Sequence, residues 1–540
     1  MFLDRTIGAV FSEAVKRYGD NPLLMVPRDP ERAYLPEGAT VSYAEAGRRV
    51  ASYASALRGA GYGHGHRIAF LLENRPEMLL LKVACNVLGI SWVPINPDYR
   101  AAEIAHLLTD SQADLVVTVD ARLAQLHEGI AASGRSIAVD RLEVLAAGFS
   151  PASRPVPLSG AVHPRTEASL LYTSGTTGRP KGCMLSHGYE LTVGNWYRNL
   201  GGRLTIEEEQ ERVYCPLPLF HVNAAIFLFF AMVLSGNCHV IPERFSRTDW
   251  WHEIRETGAT AIHYLGVIVP VLMNEPPGEQ DRAHRIKWGL GAGVEPTLHA
   301  AFEARFGFPL IEVWGMTEMC CVLADCHEPR QVHSRAMGRP QPGLEVRVVD
   351  ADDHDVAPGE SGELLVRHSA DEPRRAAFCG YLNQPDATEA AWRGGWFHTG
   401  DVVSRDDSGM LYFVDRKKNI IRRSGENIAA AEVEACLQGH ESVAQVAVVA
   451  TPDEMRDEEV LACVVARDAP ADAALARRLF DHCYRQMAYY KAPGWVVFVD
   501  ELPVTGTQKV QKYRLFADGR DPRTLPDAHD LRAFKRRDGS

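Results

Sequence analysis

The sequence has no C-x-x-C pair among its eleven cysteines, no apolar run long enough to cross a membrane and no excess of basic residues. Each absence removes a class of protein. Scattered thiols argue against a disulfide-stapled secreted scaffold. The spacing of Cys320, Cys321, Cys326 and His327 matches no common zinc site. The most apolar stretch, residues 224–234, falls well short of the ~20 residues of a membrane-spanning helix and predicts a buried helix instead. A formal charge of −12 disfavours a nucleic-acid partner, which asks for a basic face. The opening residues, Met1-Phe2-Leu3-Asp4-Arg5, lead into a helical pattern without a signal-peptide apolar core, so the expected location is cytoplasmic. No Ser/His/Asp or Cys/His arrangement offers a protein nucleophile.

What is present reads as globular and multidomain: 540 residues, 46% hydrophobic and 24% charged, too long for one ordinary core. Helical spacing over 43–59 and 77–88 alternates with short apolar runs at 67–72, 92–97 and 115–119. That alternation predicts βαβ units and a largely parallel sheet. Residues 145–165, rich in Pro, Ser and Ala, read as an exposed connection. Strand patterns near 345–350, 359–367 and 410–414 predict a small β subdomain. Beyond residue 419 the pattern runs helix (429–437), strand (443–449), strand (460–467), helix (471–486), strand (495–499), a small α+β domain. The expected division is 1–415, a hinge at 416–419, a lid domain at 420–517 and a loosely ordered polar tail at 518–540.

The stretch Tyr172-Thr173-Ser174-Gly175-Thr176-Thr177-Gly178-Arg179-Pro180-Lys181-Gly182 concentrates glycines, hydroxyls and cations. Glycine lets backbone N–H groups approach an anion, hydroxyls add donors and lysine adds a compact charge, so the composition suits a phosphate cradle. It lacks the Walker A spacing, because two residues separate Gly178 from Lys181. By composition alone a solvated loop fits equally well. Further along come Trp314-Gly315-Met316-Thr317-Glu318, Thr399-Gly400-Asp401, Asp415-Arg416-Lys417-Lys418, Ser424-Gly425-Glu426-Asn427 and Thr505-Gly506-Thr507-Gln508-Lys509. In this order they resemble the signature motifs of the adenylate-forming (AMP-binding) superfamily of acyl-CoA synthetases, luciferases and adenylation domains. The wider pattern, including Pro218-Leu219-Phe220-His221-Val222-Asn223 and Tyr264-Leu265-Gly266-Val267, resembles the carnitine/crotonobetaine-CoA-ligase-like branch.

The resemblance implies an α/β fold: a large N-terminal domain of αβ-layered parallel sheets with a β subdomain, under a small mobile α+β C-terminal lid. It implies an ATP-dependent acyl-CoA ligase using ATP, Mg2+ and coenzyme A on a small carboxylic acid, with a homodimer left open. The phosphate cradle would be Thr173, Ser174, Gly175, Thr176, Thr177, Gly178 and Lys181. Gly291, Ala292 and Gly293 would face adenine opposite Trp314, with Glu312, Val313, Gly315, Met316, Thr317 and Phe413 beside the nucleotide. Asp401 and Arg416 would hold the ribose, and Thr176 with Glu318 the Mg2+. Lys509 would catalyse adenylation. The lid would then turn about Lys418 and present Gly425, Glu426 and Asn427 for transfer to CoA. The acyl pocket would be lined by His221, Val222, His263, Leu265 and Gly266 together with Gly291, Gly315 and Met316.

Several positions qualify this expectation. His221 stands where amino-acid-activating relatives place an Asp, so nothing at that position offsets a substrate ammonium. Gln508 precedes Lys509 where glycine is usual, Ala429-Ala430 depart from the residues that commonly follow the Gly-Glu-Asn loop, and Lys512 is a rival to Lys509 expected to face solvent. Lys417, Lys418, Arg422 and Arg423 form a basic cluster, suited to CoA phosphates or simply solvated. The alternatives carried forward are an enzyme loading a carrier protein, a luciferase-like oxygenase and an inactive binding protein of the same fold.

Overall fold

A computed structural model describes residues 2–173, 180–266, 268–294, 296–350, 352–416, 420–467, 469–503, 512, 515–516 and 521–536, without the side chains at 146, 147, 297, 415, 416, 420, 427, 429, 431 and 435. The short β-branched runs become two parallel sheets. In the first, Ala138–Arg141, Leu115–Thr118, Arg67–Leu71, Ser91–Pro94 and Glu167–Thr173 lie side by side and parallel, and Lys181–Ser186 returns antiparallel at one side. In the second, Pro22–Val26, Cys238–Val240, Arg212–Tyr214, Ala261–Leu265, Trp288–Ala292 and Leu310–Met316 run parallel between antiparallel outer strands. Parallel strands are covered on both faces, which is why Leu115–Thr118 is fully buried and apolar but for Thr118.

Helices Tyr43–Gly59 and Pro76–Val87 pack in the main core with His187–Arg198. The apolar run at 224–234 is buried as expected, but it begins as a π-helical turn, Asn223–Leu228, before continuing as the α-helix Phe229–Ser235. A π turn widens the helix where it starts, a common feature of functional sites. Here that widened end is Asn223.

Five antiparallel strands, Ala336–Gly338, Leu411–Arg416, Phe397–Arg405, Ser361–Arg367 and Glu345–Val349, make the β subdomain. The lid has its own sheet, starting with the hairpin Ile420–Arg423 and Glu426–Ala429. Strands Val443–Asp453, Asp457–Ala466 and Trp495–Phe498 follow, with helices Ala430–Gln438 and Ala473–Gln486 packed on them.

Residues 521–536, expected within a loosely ordered tail, instead belong to the lid. Ala528–Asp530 pairs antiparallel with Trp495–Phe498, covering an edge that would otherwise be open, and Leu531 is buried in the lid core. The polar composition hid two anchors, Leu531 and the stem of Lys535.

Lys535 reaches Glu459, which Arg423 already pairs at 2.7 Å, so two buried cations share one carboxylate. Burial, then the Arg423 charge, hold the Lys535 ammonium down at about 7. An unfolded chain keeps that proton to ~10.4. Between those values the unfolded chain binds more protons, so lid stability is expected to rise with pH. Lys535→Met should flatten this rise and be neutral to stabilising by about 1–4 kcal/mol at pH 7, since the Arg423–Glu459 pair survives. Thermal unfolding at pH 7 and 9 checks both expectations, and a clear loss of stability at pH 7 would contradict them.

Candidate functional site

The carboxyl ends of both parallel sheets open on one cavity of about 920 Å³, bounded on its far side by the lid. This is where an open α/β sheet places its ligands, because the loops leaving adjacent strand ends diverge there. Pro94 and Asn96 leave one strand end, Thr173 another, and Leu265-Gly266, Ala292-Gly293 and Glu312–Met316 leave three more; all line the cavity. The wall is drawn tight by glycine: a Cβ on Gly266 would stand 1.8 Å from the Gly293 carbonyl oxygen.

One side is organised around Asp401, which is 3% exposed. Its Oδ2 accepts the Trp314 indole N–H at 2.8 Å, and its backbone N–H donates to Thr399 Oγ1 at 3.1 Å. Glu363, which the sequence reading missed, accepts the Gly400 N–H at 3.1 Å and so fixes the turn that aims Asp401. Trp314 was expected to offer only a ring face. Its edge also holds the carboxylate.

The side chain of Glu312 ties the glycine turn to the neighbouring strand. It accepts Tyr264 O–H at 2.7 Å and the N–H groups of Gly293 and Val294 at 2.8 and 3.3 Å. Burial outweighs these donors and holds its carboxyl above the usual range.

A second cluster surrounds Glu318, whose Oε1 accepts Tyr381 O–H at 2.8 Å. Burial, then the Glu318 charge, push the Tyr381 phenol far up, so it stays a neutral donor. Lys181 Nζ lies 4.8 Å from the centre of the same ring. Tyr381 comes from a two-residue strand, Gly380–Tyr381, paired to Lys181–Ser186. No sequence pattern linked it to a glutamate 63 residues away.

The lid meets the cavity through the turn of its first hairpin. Ser424 and Gly425 both have positive φ, 51° and 86°. Gly425 packs so closely on the body that a Cβ there would be 2.2 Å from Leu265 Cδ1. Glu426 Oε2 lies 3.7 Å from His221 Nε2. Around this contact Asn96 Nδ2 donates to Tyr490 O–H at 2.8 Å, and Arg100 Nε to the Met487 carbonyl at 3.2 Å. Buried Lys491 bridges Glu103 of the body at 2.5 Å and Glu432 of the lid at 2.8 Å. Burial alone would lower Lys491, but those two carboxylates lift it well above the ordinary lysine value, so it stays charged. Tyr490 and Lys491 escaped the sequence reading because an aromatic and a cation before Ala-Pro carry no periodic signal.

Of the expected residues, Thr173, Lys181, His221, Val222, Leu265, Gly266, Ala292, Gly293, Glu312, Val313, Trp314, Gly315, Met316, Thr317, Glu318, Asp401, Phe413, Gly425 and Glu426 line the cavity together. Gly291 lies just behind the wall, where a Cβ would meet the Tyr264 carbonyl at 2.3 Å. His263 is corrected from pocket wall to backing layer: fully buried, it bonds Tyr197 O–H and Asn223 Oδ1, each at 2.7 Å. Arg423 is buried on Glu459 and Arg422 caps the Phe413 ring at 4.1 Å, so these two arginines of the basic cluster are engaged within the protein, while Lys417 and Lys418 lie outside the described residues. Lys512 does not face solvent freely; it pairs Glu434 at 2.6 Å and the Val448 carbonyl at 2.9 Å. Ser174, Gly175, Thr176, Thr177, Gly178, Lys418 and Lys509 lie outside the described residues, as do the side chains of Arg416 and Asn427. The backbone of Arg416 is in register with Asp401.

Comparison with known proteins gives the site its context. The family model described as AMP-binding enzyme matches residues 11–372, and that of the AMP-binding enzyme C-terminal domain matches residues 432–509. A sulfoacetate–CoA ligase from Cupriavidus necator is 32% identical over 94% of this chain and 97% of its own length. A crotonobetaine/carnitine–CoA ligase from Salmonella arizonae is 29% identical over 88% of this chain and 92% of its own. Among solved structures, a double mutant of o-succinylbenzoate-CoA synthetase from Bacillus subtilis bound to a product analogue superposes with a TM-score of 0.81 at 26% identity, covering 95% of this chain and 99% of that one. The same synthetase in complex with AMP gives 0.66 at 26% identity, covering 95% and 98%.

Proposed function

Because the chain belongs to the AMP-binding enzyme family and is an acid–CoA ligase of the AMP-forming kind, we propose that the cavity between the sheet ends and the lid serves both half-reactions. Acid and ATP give acyl-AMP and pyrophosphate, and the CoA thiol then displaces AMP. One observation carries this reading: Asp401, Glu318 and the lid's Ser424-Gly425-Glu426 turn, far apart in sequence, line the same cavity. A nucleotide held by the first two lies within reach of the third.

Asp401, aimed by Trp314 and Glu363, accepts the ribose hydroxyls, with Arg416 as partner. Glu312 holds the glycine turn against which the adenine lies. Thr173 to Gly178 and Lys181 bind the phosphates. A carboxylate bordering the cavity suits a hard cation, which takes oxygen ligands and leans on substrate phosphates. Glu318, oriented by Tyr381, would therefore hold Mg2+ with Thr176, and the ion would offset phosphate charge. Lys509 stabilises charge developing at the α-phosphate. His221, Val222, Leu265, Gly266 and Met316 border the acyl group.

In the described orientation the lid presents its glycine turn to the cavity, which supports assigning that turn to thioester formation. The higher similarity to the product-analogue complex than to the AMP complex of the same synthetase supports it further. Lys418 is the pivot between this orientation and the adenylating one. Eleven free thiols support a reducing cytoplasm.

Glu103→Gln tests the docking contact. The amide still accepts the Arg100 N–H that caps its helix but no longer offers Lys491 a charge. A hydrogen bond to a charged group is worth about 1.5–3 kcal/mol. Thioester formation from supplied acyl-AMP is expected to fall roughly ten- to a hundredfold, with pyrophosphate release unchanged. Equal effects on both steps would mean the contact does not select an orientation.

Pyrophosphate release with a panel of acids, with and without CoA, tests the reading as a whole. Turnover that runs to AMP and thioester only with CoA is expected. Transfer to a carrier protein in preference to CoA, or oxygen consumption, would favour the other two enzymes.

A further inference from the structure

Behind the acyl side of the cavity lies a buried polar relay: Tyr197 O–H, His263 and Asn223, joined by two contacts of 2.7 Å. Tyr197 and His263 are fully buried, and Tyr197 is stacked on Phe227 at 4.2 Å. Asn223 alone reaches the cavity.

Hydrogen-bond accounting fixes the direction of this relay. Among the described residues the Tyr197 hydroxyl has one acceptor in range, His263 Nε2. A buried O–H with no acceptor costs about 1–3 kcal/mol, so the hydroxyl donates and Nε2 carries no proton. Burial holds the imidazole pKa at about 3, so the ring is neutral and its one proton sits on Nδ1. Nδ1–H then donates to Asn223 Oδ1. The amide is therefore oriented with its carbonyl inward and its NH2 toward the cavity, and no described residue accepts from that NH2. A freely rotating asparagine would offer either end. This one is held as a donor.

We propose that the acid this enzyme activates carries, beyond its carboxylate, an oxygen that accepts a hydrogen bond from Asn223 Nδ2. This makes it an oxo-, ether- or hydroxy-substituted acid rather than a plain hydrocarbon one. The inference rests on the ligase reading and adds the chemical class of its substrate. An ammonium at the same place would meet a donor, in keeping with the missing carboxylate at His221. A pocket that hydrogen-bonds a substrate group discriminates strongly against analogues lacking it, because its own polar atoms are then left unpaired.

The test compares kcat/KM for pyrophosphate release between straight-chain acids of four to eight carbons and their ketone analogues, the oxygen moved along the chain one carbon at a time. The wild-type enzyme is expected to favour the best ketone acid over its parent by at least about tenfold. Asn223→Leu should bring that ratio to about one. Tyr197→Phe leaves the cavity wall untouched but frees the tautomer, so it should weaken the ratio without changing the parent acid's rank among hydrocarbons. A wild-type ratio of one or less at every oxygen position, or a ratio that survives Asn223→Leu, overturns the proposal. Release of pyrophosphate with no acid of either kind would instead overturn the ligase reading, and this inference with it.

Discussion

Gly425→Val is expected to slow thioester formation from supplied acyl-AMP by roughly ten- to a hundredfold while pyrophosphate release stays within a few-fold of wild type. Two costs coincide at this residue. Its φ of 86° lies in the left-handed region, where a β-branched side chain is strained by about 1–3 kcal/mol. The added carbon would also stand 2.2 Å from Leu265 Cδ1, an overlap between lid and body that costs about another 1–3 kcal/mol to accommodate. The strain is present in either lid orientation, but the overlap exists only when the turn is docked on Leu265. Adenylation, performed with the lid turned away, is spared the overlap. Separate single-turnover assays of the two steps check this; a valine variant that still forms thioester at the wild-type rate would remove the turn from the mechanism.

Lys509→Ala is expected to do the converse, reducing pyrophosphate release about a hundred- to a thousandfold and leaving conversion of supplied acyl-AMP to thioester largely intact. A lysine about 4 Å from a phosphate in an effective dielectric near 20 interacts with it by about 4 kcal/mol, and this grows as charge develops in transfer. Lys512 provides the control. Its pairing with Glu434 and the Val448 carbonyl makes it part of the lid's own structure, so Lys512→Ala should leave release within about threefold. Loss in the Lys512 variant with retention in the Lys509 variant would exchange their roles.

Much of the body was legible because its elements are periodic. The helix Tyr43–Gly59 and the strand Leu115–Thr118 announce themselves through spacing and β-branching, and the lid strands and helices fall within a few residues of their expected bounds. The motif residues around Trp314, Asp401 and Gly425 were legible by resemblance. What escaped was non-local. Tyr381 matters because a short edge strand carries it to Glu318. Glu363 matters because it braces Gly400 across a sheet, and Lys491 because it bridges two domains. None of these contacts leaves a trace in local spacing. The Asn223 relay was hidden differently: Tyr197, Asn223 and His263 lie on three elements, and only the direction of their hydrogen bonds gives them meaning. The C-terminal stretch misled because its composition is polar while its two anchors, Leu531 and Lys535, are buried.

The most direct test of one cavity served by two lid orientations is to hold the lid where it is described. Arg100 of the body lies 5.0 Å from the ring centre of Tyr484 of the lid, and neither residue lines the cavity. With both replaced by cysteine and joined by a short thiol cross-linker, the enzyme should still convert supplied acyl-AMP and CoA to thioester but release no pyrophosphate from acid and ATP. A cross-linked enzyme that performs both steps at the rates of its uncross-linked form would contradict the alternation on which every assignment of the lid depends.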